Sequence, residues 1–159
     1  MDMNLINPLI ISFTDILTQF GFQSVERLDI SMIGSTLDYE GVLVHISLVG
    51  KLKGAVLIGM SLDSAKHIAS KMMMGMIVAE FDSMAQSAIS EMGNMVCANA
   101  CTQFSQVGIT GLDISPPLLL MGHEVQAILP VSQTVAINFS VDSLNVNVYV
   151  GLLQEDSQK

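Results

Sequence analysis

The sequence predicts an α+β fold in which a mostly antiparallel sheet packs against two or three helices, one of them long and central. Three observations support this class. Residues 84–107 have the apolar spacing of a single helix, residues 27–59 and the last third of the chain alternate with period two, and no βα unit repeats. The 159 residues are expected to form one domain, 1–159, that is large enough to bury its own core.

The first helix is predicted to begin at Asn7-Pro8, because asparagine caps helices and proline is favoured at the first helical position. Gly21 is expected to end this helix. One side of it should lie on the core. The apolar residues of that side are Leu9, Phe13, Ile16, Leu17 and Phe20.

Residues 27–59 are predicted to form strands. In the segment 42–48, valine, isoleucine and leucine alternate with Leu43, His45 and Ser47. Because both sets are fairly apolar, this strand should be covered on both faces. Glycines between residues 50 and 54 indicate a hairpin turn that leads into the next strand.

A second helix, Leu62–Met74, is predicted to follow Ser61 and Asp63, which are favourable residues at a helix start. Its core-facing residues are expected to be Ala65, Ile68, Ala69 and Met72. The run MMMGM (72–76) has two interpretations: an adaptable surface for a partner, or methionines that fill the core at a helix end. Core filling is favoured, and Gly75 is expected to break the helix.

Four strands are predicted after Gly108, namely Ile114–Met121, Val125–Leu129, Val135–Val141 and Leu144–Leu152. The last strand alternates aliphatic residues with Asn145, Asn147 and Tyr149. One of its faces should therefore be buried and the other exposed to water. The polar tail QEDSQK is expected to fray.

The central helix is predicted to expose a compact polar cluster. With Ser87 placed at 0° and about 100° per residue, Glu91 lies at about 40° and Asn94 at about −20°. Small residues continue this stripe, beginning with Ala98, and would let another protein approach closely. The opposite face should be buried. It comprises Ala85, Ile89, Met92, Val96 and Val107.

The composition excludes several classes of function. The net charge is −9 with six lysines and arginines, so the chain lacks the clustered cations that bind nucleic acid. No apolar run approaches the ~18–20 residues of a membrane span. The first residues carry no positively charged signal region, and a cytoplasmic protein is expected. Half of the residues are apolar and 13% are charged, which favours a homo-oligomer.

The residues of common catalytic sites do not form a recognisable pattern. His45, His67 and His123 lie on separate predicted elements and share no metal-ligand spacing with cysteines or carboxylates. Nucleophile elbows and phosphate-binding loops are absent from the sequence. Cys97 and Cys101 are four residues apart on one helix, where a disulfide between them is disfavoured. We expect them to be packed or half-exposed thiols rather than redox-active ones.

The polar cluster belongs to a longer pattern, Ser87-x3-Glu91-x2-Asn94-x22-Pro117. This pattern resembles the signature of the chemotaxis phosphatases of the CheC/CheX/FliY family, in which aspartate or serine, glutamate, asparagine and proline stand at these spacings. The opening NLINPLIISFTDIL also looks like the start of CheX proteins. Among the glutamates, Glu91 alone is followed by an asparagine three residues later. This indicates one site per chain, which is nearer to CheX than to CheC.

The resemblance implies a CheC-like fold and a homodimeric phosphatase that hydrolyses the aspartyl phosphate of a CheY-like response regulator. Asn94 would orient the attacking water, and Glu91 would pair with the active-site lysine of the regulator. Ser87 and Ala98 would contact the partner, and Pro117 would have a structural role at the start of a strand. No cofactor is expected on this chain, whereas Mg²⁺ is expected on the regulator.

Two hypotheses without catalysis stay open. A binding module would dock on a phosphorylated response regulator and sequester it, so the lifetime of the phosphate would not depend on Asn94. A structural component related to the flagellar switch proteins is the third hypothesis.

Overall fold

The computed structural model describes residues 2–154, which form three helices and seven strands. The helices are α1 (Met3–Gln19), α2 (Leu62–Met72) and α3 (Ser83–Gln106). The strands are β1 (Val25–Ile33), β2 (Thr36–Val49), β3 (Leu52–Met60), β4 (Asp113–Ile114), β5 (Leu118–Ile128), β6 (Thr134–Val141) and β7 (Leu144–Gln154). The predicted α+β class is confirmed. The predicted fraying of the tail concerns residues 155–159, which lie outside the described residues, whereas Gln154 still belongs to β7.

All seven strands belong to one antiparallel sheet. Its order is β1-β6-β7-β3-β2-β4, and β5 also pairs with β2. Two strands therefore share one neighbour along the same edge. β4 pairs with Leu48 and Val49 of β2, and β5 pairs with the segment 36–45. The chain between β4 and β5 leaves the sheet for a few residues, and this short segment becomes part of the candidate site.

The main core lies between the three helices and one face of the sheet. The strands contribute alternate residues to it, such as Val44 of β2 and Ile58 of β3. Phe13 of α1 and Phe139 of β6 lie with their ring centroids 4.4 Å apart. Each fully buried side chain of this size contributes about 1.5–3 kcal/mol, so this layer fixes the helices on the sheet.

The opposite face of the sheet carries a second, smaller apolar cluster. Leu43 of β2 and Tyr149 of β7 belong to it, which confirms that β2 is covered on both faces. The predicted water-exposed face of β7 is wrong at Tyr149, which is 9% exposed. The reason is that Leu129 and Val131 fold back over this part of β7, where Gly151 leaves room for their side chains.

The start of α1 differs from the prediction. The helix begins at Met3, where the carboxylate of Asp2 accepts a hydrogen bond from the backbone N–H of Asn4 at 2.9 Å. Pro8 lies inside the helix, so it removes one backbone hydrogen bond in the second turn. The aspartate cap therefore adds a turn that the Asn7-Pro8 signal concealed. The end of the helix at Gly21 is confirmed, since Gly21 adopts φ of 99° directly after the last turn.

The prediction for the methionine run is wrong at two of its residues. α2 ends at Met72, two residues earlier than predicted, and Met74 and Gly75 both adopt positive φ. These two residues turn the chain away from the core, so Met74 is 96% exposed and Met76 is 59% exposed. Met72 is thus the last residue of the run that packs against the core, Met73 is half-buried, and the remainder of the run faces solvent.

The long helix α3 closely follows its prediction, except at its end. Ala85, Ile89, Met92 and Val96 are buried as expected. Val107 follows the helix and is 59% exposed, so its predicted burial is wrong. The helix ends at Gln106, so Val107 is not held on the buried face. Phe104 is the last buried residue of the helix.

Candidate functional site

The first turn of α3 is held by two local hydrogen bonds. The Asp82 carboxylate accepts from the backbone N–H of Ala85 at 3.0 Å, and the Gln86 side-chain amide donates to the Phe81 carbonyl at 3.0 Å. An acceptor at this position satisfies an otherwise unpaired backbone donor. These bonds fix the direction of the helix immediately before Ser87.

An open cleft of about 720 Å³ lies between α3 and the segment that joins β4 to β5. One wall carries Ser87, Glu91 and Asn94, and the other carries Pro116 and Pro117. The remaining lining residues are Ser83, Gln86, Ser90, Ile114, Ser115 and Leu119. The structure thus brings together the four motif residues that are separated by up to 30 positions in the sequence.

Ala98 does not line this cleft. It is exposed on α3 one helical turn beyond Asn94, on the same stripe. Its contact with a partner stays a prediction.

The polar groups of the helix wall are available to a ligand or partner. Ser87 and Glu91 are exposed and Asn94 is half-buried. Within residues 2–154, their side chains form no hydrogen bond or ion pair with other residues. Glu91 is the one charged side chain among the described lining residues. The cleft therefore offers one carboxylate for a cation, surrounded by neutral hydroxyl and amide groups.

The proline wall interrupts the edge of the sheet. The ladder between β4 and β2 ends at Ile114, and the ladder between β5 and β2 begins at Leu118. The predicted strand Ile114–Met121 is therefore wrong in its middle, because Pro116 and Pro117 have no N–H to donate to the ladder. The position of Pro117 directly before a strand is confirmed. The predicted strands 114–121 and 125–129 also merge, since β5 runs without a break through Gly122.

The two cysteines of α3 are packed and not paired with each other. Cys97 is buried and Cys101 is half-buried. Burial, together with the neighbouring Cys101, raises the pKa of the Cys97 thiol to about 12. Burial and the charge of Asp113 also raise the pKa of Cys101. The predicted packed or half-exposed positions of the two thiols are therefore confirmed. A protonated thiol is a poor nucleophile, and the absence of a redox role stays a prediction.

Neither metal ligands nor membrane spans are evident in the described part of the chain. Among residues 2–154, no three His, Cys, Asp or Glu side chains group in a way that would hold a metal ion. None of the three described helices combines the length and the apolar character needed to cross a bilayer.

Sequence reasoning missed several lining residues. Ser83 and Ser90 lie four before and three after Ser87, so the helical period alone could have placed them on the same wall. Ser115 and Pro116 had no such signal. Their place opposite α3 depends on how β4 and β5 pair with β2, which is a contact between distant parts of the sequence.

Solved structures with similar folds identify the architecture. A CheC-like superfamily protein from Shewanella sp. PV-4 superposes with a TM-score of 0.84 at 20% identity, and covers 96% of this chain and 99% of that one. The CheX of Borrelia burgdorferi, solved in a CheX-CheY-BeF3-Mg complex, gives a TM-score of 0.77 at 22% identity, with 94% and 98% covered. The architecture is therefore that of the CheC-like α+β proteins.

Sequence comparison gives the family. The model of the family named chemotaxis phosphatase CheX matches residues 42–140, which is more than half of the chain. The chain belongs to this family. The CheY-P phosphatase CheX of Thermotoga maritima is 31% identical over 81 residues, which are 51% of this chain and 52% of the relative. The alignment thus spans about half the length of that curated relative.

Proposed function

We propose that this chain is a protein-aspartyl-phosphate phosphatase that acts on a CheY-like response regulator. The observation that carries the proposal is the convergence of Ser87, Glu91, Asn94 and Pro117 on one open cleft. Two relatives support it. The Thermotoga maritima protein is named a CheY-P phosphatase, and the Borrelia burgdorferi CheX was solved with CheY, BeF3 and Mg²⁺.

The proposed reaction is hydrolysis of an acyl phosphate. The oxygen of a water molecule forms a bond to phosphorus, the bond between phosphorus and the aspartate oxygen breaks, and inorganic phosphate and a free carboxylate result. Phosphoryl transfer depends mainly on positioning and on stabilisation of charge. The regulator would supply the Mg²⁺ and a lysine around its phosphate. This chain then needs to add only a group that orients the water.

Asn94 is suited to orient the water. Its amide oxygen accepts a hydrogen bond from the water, while its NH₂ group donates to a phosphoryl oxygen. The amide is neutral, so it enters the negatively charged phosphate site without the repulsion that a second carboxylate would meet. Its half-buried position on α3 restricts its rotamers, which favours a single orientation.

Glu91 is suited to anchor the regulator. It lies one turn before Asn94 on the exposed side of α3, and it has no partner among the described residues. A bond between its carboxylate and the active-site lysine of the regulator would be a charge-assisted one. Such a bond would fix the register of α3 on the regulator and place Asn94 beside the phosphate.

Other features of the site would complete the docking surface. Ser87 would contact the regulator one turn before Glu91, and Ala98 would allow a close approach beyond Asn94. Pro117, on the opposite wall, would have a structural role.

We also propose that the protein works in the cytoplasm as a homodimer. Among the described strands, β1 pairs with β6 alone and β5 with β2 alone, so each leaves a backbone edge available to a second copy.

The test is the decay of acid-labile phosphate on a purified CheY-like regulator from the same organism. The regulator is followed alone, with the wild-type protein, and with Asn94→Ala. We expect the wild type to accelerate the decay and Asn94→Ala to lose about 10²-fold of this acceleration, as on removal of one transition-state hydrogen-bond partner. Near-normal turnover of the variant would remove Asn94 from the mechanism.

A second measurement separates catalysis from sequestration. The affinity of both proteins for the BeF3-activated regulator is measured by titration calorimetry. We expect similar affinities, because Asn94 acts on the water rather than on docking. A complex that forms equally well with both proteins, while the phosphate decays at the same rate with and without them, would support the sequestering module instead.

A further inference from the structure

The proline wall of the cleft is a bulge in the edge of the sheet. Ile114 stands opposite Leu48 of β2, and Leu118 stands opposite His45. Ser115 follows opposite Ser47, which leaves Pro116 and Pro117 opposite the single residue Ile46. Two residues against one is the arrangement of a β-bulge, and such bulges aim side chains at neighbouring sites. Here the bulge supplies the wall that faces α3.

A bulge of two prolines creates a problem for the backbone of β2. The backbone N–H of Ser115 still donates to the Ser47 carbonyl at 2.9 Å. The return bond, from the Ser47 N–H to the Ser115 carbonyl of a regular pair, is replaced. The Ser47 N–H instead donates to the Ser115 hydroxyl oxygen at 2.9 Å. The hydroxyl thus satisfies a part-buried donor that would otherwise be left without a partner, which is unfavourable.

The same hydroxyl also reaches the proline wall itself. The Ser115 O–H donates to the carbonyl of Pro116 at 3.1 Å. One side chain therefore connects the backbone of β2 to the Pro116–Pro117 peptide. β2 is also the strand on which α3 rests, since Val44 and Ile46 lie beneath Gly93. Both walls of the cleft are therefore held against the same strand, β2.

We propose that Ser115 is a positioning residue of the phosphatase site. Its hydroxyl bridges Ser47 to Pro116 and sets the proline wall at a fixed spacing from Asn94. This inference rests on the proposed function and adds a residue that the Ser-Glu-Asn-Pro pattern does not contain. Without the bridge, the wall is free to move relative to α3, and the regulator docks with its phosphate imperfectly placed at Asn94.

The test compares Ser115→Ala with Ser115→Thr, which keeps a hydroxyl. Ser61→Ala is the matched control, because the Ser61 hydroxyl also accepts from a backbone N–H, that of Ser64 at 3.1 Å, at the start of α2. For each protein, kcat and KM for phosphate release are measured, together with the thermal midpoint and the amide exchange of Ser47 by NMR.

We expect Ser115→Ala to lower kcat about tenfold with KM within about twofold, since a small misplacement is costly at a reacting centre. Exchange of the Ser47 amide should become faster in this variant. Ser115→Thr should restore both values. Ser61→Ala should lose similar stability but keep the wild-type kcat.

Several outcomes would overturn the inference. A wild-type kcat for Ser115→Ala, or unchanged exchange at Ser47, would show that the hydroxyl does not hold the wall. An equal loss of kcat in Ser61→Ala would reduce the effect to general destabilisation. A wild-type protein that does not accelerate the decay at all would reject the proposed function, and the exchange at Ser47 would then decide alone whether the bridge fixes the bulge.

Discussion

Gly93 of α3 lies directly on Val44 of β2. A Cβ atom added to Gly93 would stand 2.9 Å from Val44 Cγ1 and 3.4 Å from Ile46 Cδ1. Gly93 precedes Asn94 and follows Glu91 by two residues, so the helix lies close against the sheet directly beside the candidate site. A glycine in a helix interior costs about 1 kcal/mol relative to alanine. Here the glycine permits a contact that any side chain would prevent.

Gly93→Ala is therefore expected to destabilise the protein, by about 1–3 kcal/mol, despite the better helix propensity of alanine. The added methyl group would push α3 away from Val44, and phosphatase activity should fall as well. Urea denaturation measures the free energy of unfolding. Val44→Ala also costs stability, because Val44 is fully buried. The loss in the double variant Gly93→Ala/Val44→Ala should be smaller than the sum of the two single losses, because the smaller side chain removes the steric conflict.

Gly34→Ala is the control for this prediction. Gly34 lies between β1 and β2, where an added Cβ would meet no atom within 4 Å. The free energy of unfolding of the Gly34→Ala protein should therefore be close to that of the wild type. A Gly93→Ala protein that is as stable as the wild type would show that α3 can adjust without cost.

Glu91→Ala should weaken the regulator complex and lower the rate. Loss of a hydrogen bond to a charged group removes about 1.5–3 kcal/mol, which is roughly 10- to 100-fold in affinity. The affinity of the wild-type complex should also fall with added salt, and that of the variant should fall less. Calorimetry at two salt concentrations measures both effects.

Glu124→Ala is the charge-matched control, because it removes an exposed carboxylate on β5. Equal affinities of the wild type, Glu91→Ala and Glu124→Ala would show that Glu91 has no part in docking.

Ala98→Arg should block docking without disturbing the fold. Ala98 is exposed, so the larger side chain finds room in the free protein, and the free energy of unfolding should change by less than about 0.5 kcal/mol. In the complex, the arginine would occupy the space of the regulator, and affinity should fall by at least about tenfold. Gln19→Arg adds the same charge at an exposed position of α1 and should bind normally. Unchanged binding by Ala98→Arg would place the docking surface elsewhere.

The buried thiol of Cys97 predicts a loss of stability at alkaline pH. Its pKa is 9.0 in the absence of the fold and about 12 in the folded protein. Between these values the unfolded chain releases a proton that the folded protein retains, so the free energy of unfolding falls as pH rises. Cys97→Ala should reduce this fall between about pH 9 and pH 11, measured by urea denaturation at each pH. The same slope in variant and wild type would contradict the assigned burial effect.

The sequence specified the helix wall of the site well. Glu91 and Asn94 fall on one exposed face because the helical period acts over a few residues, and α3 has the length and buried side that its apolar spacing predicted. The alternation along β2 likewise indicated its two covered faces. These features depend on local geometry, which a short stretch of sequence contains.

The errors occur where distant segments or single capping residues decide the outcome. Asp2 extends α1 beyond Pro8, and the left-handed turn at Met74 takes the methionine run out of the core. Tyr149 is buried because Leu129 folds over β7, which no pattern within β7 shows. Each case depends on a contact or cap outside the window in which periodicity is read.

Helical spacing, which can be read from the sequence, placed Ser87, Glu91 and Asn94 on one face of α3. The tertiary structure alone decided that Pro117 stands opposite them, that a bulge beside Ile46 forms the second wall, and that the Ser115 hydroxyl holds this wall to β2. The physical reason is the range of the interactions. Helical spacing is fixed by hydrogen bonds four residues apart, whereas the opposite wall depends on strand pairing between residues almost 70 positions apart.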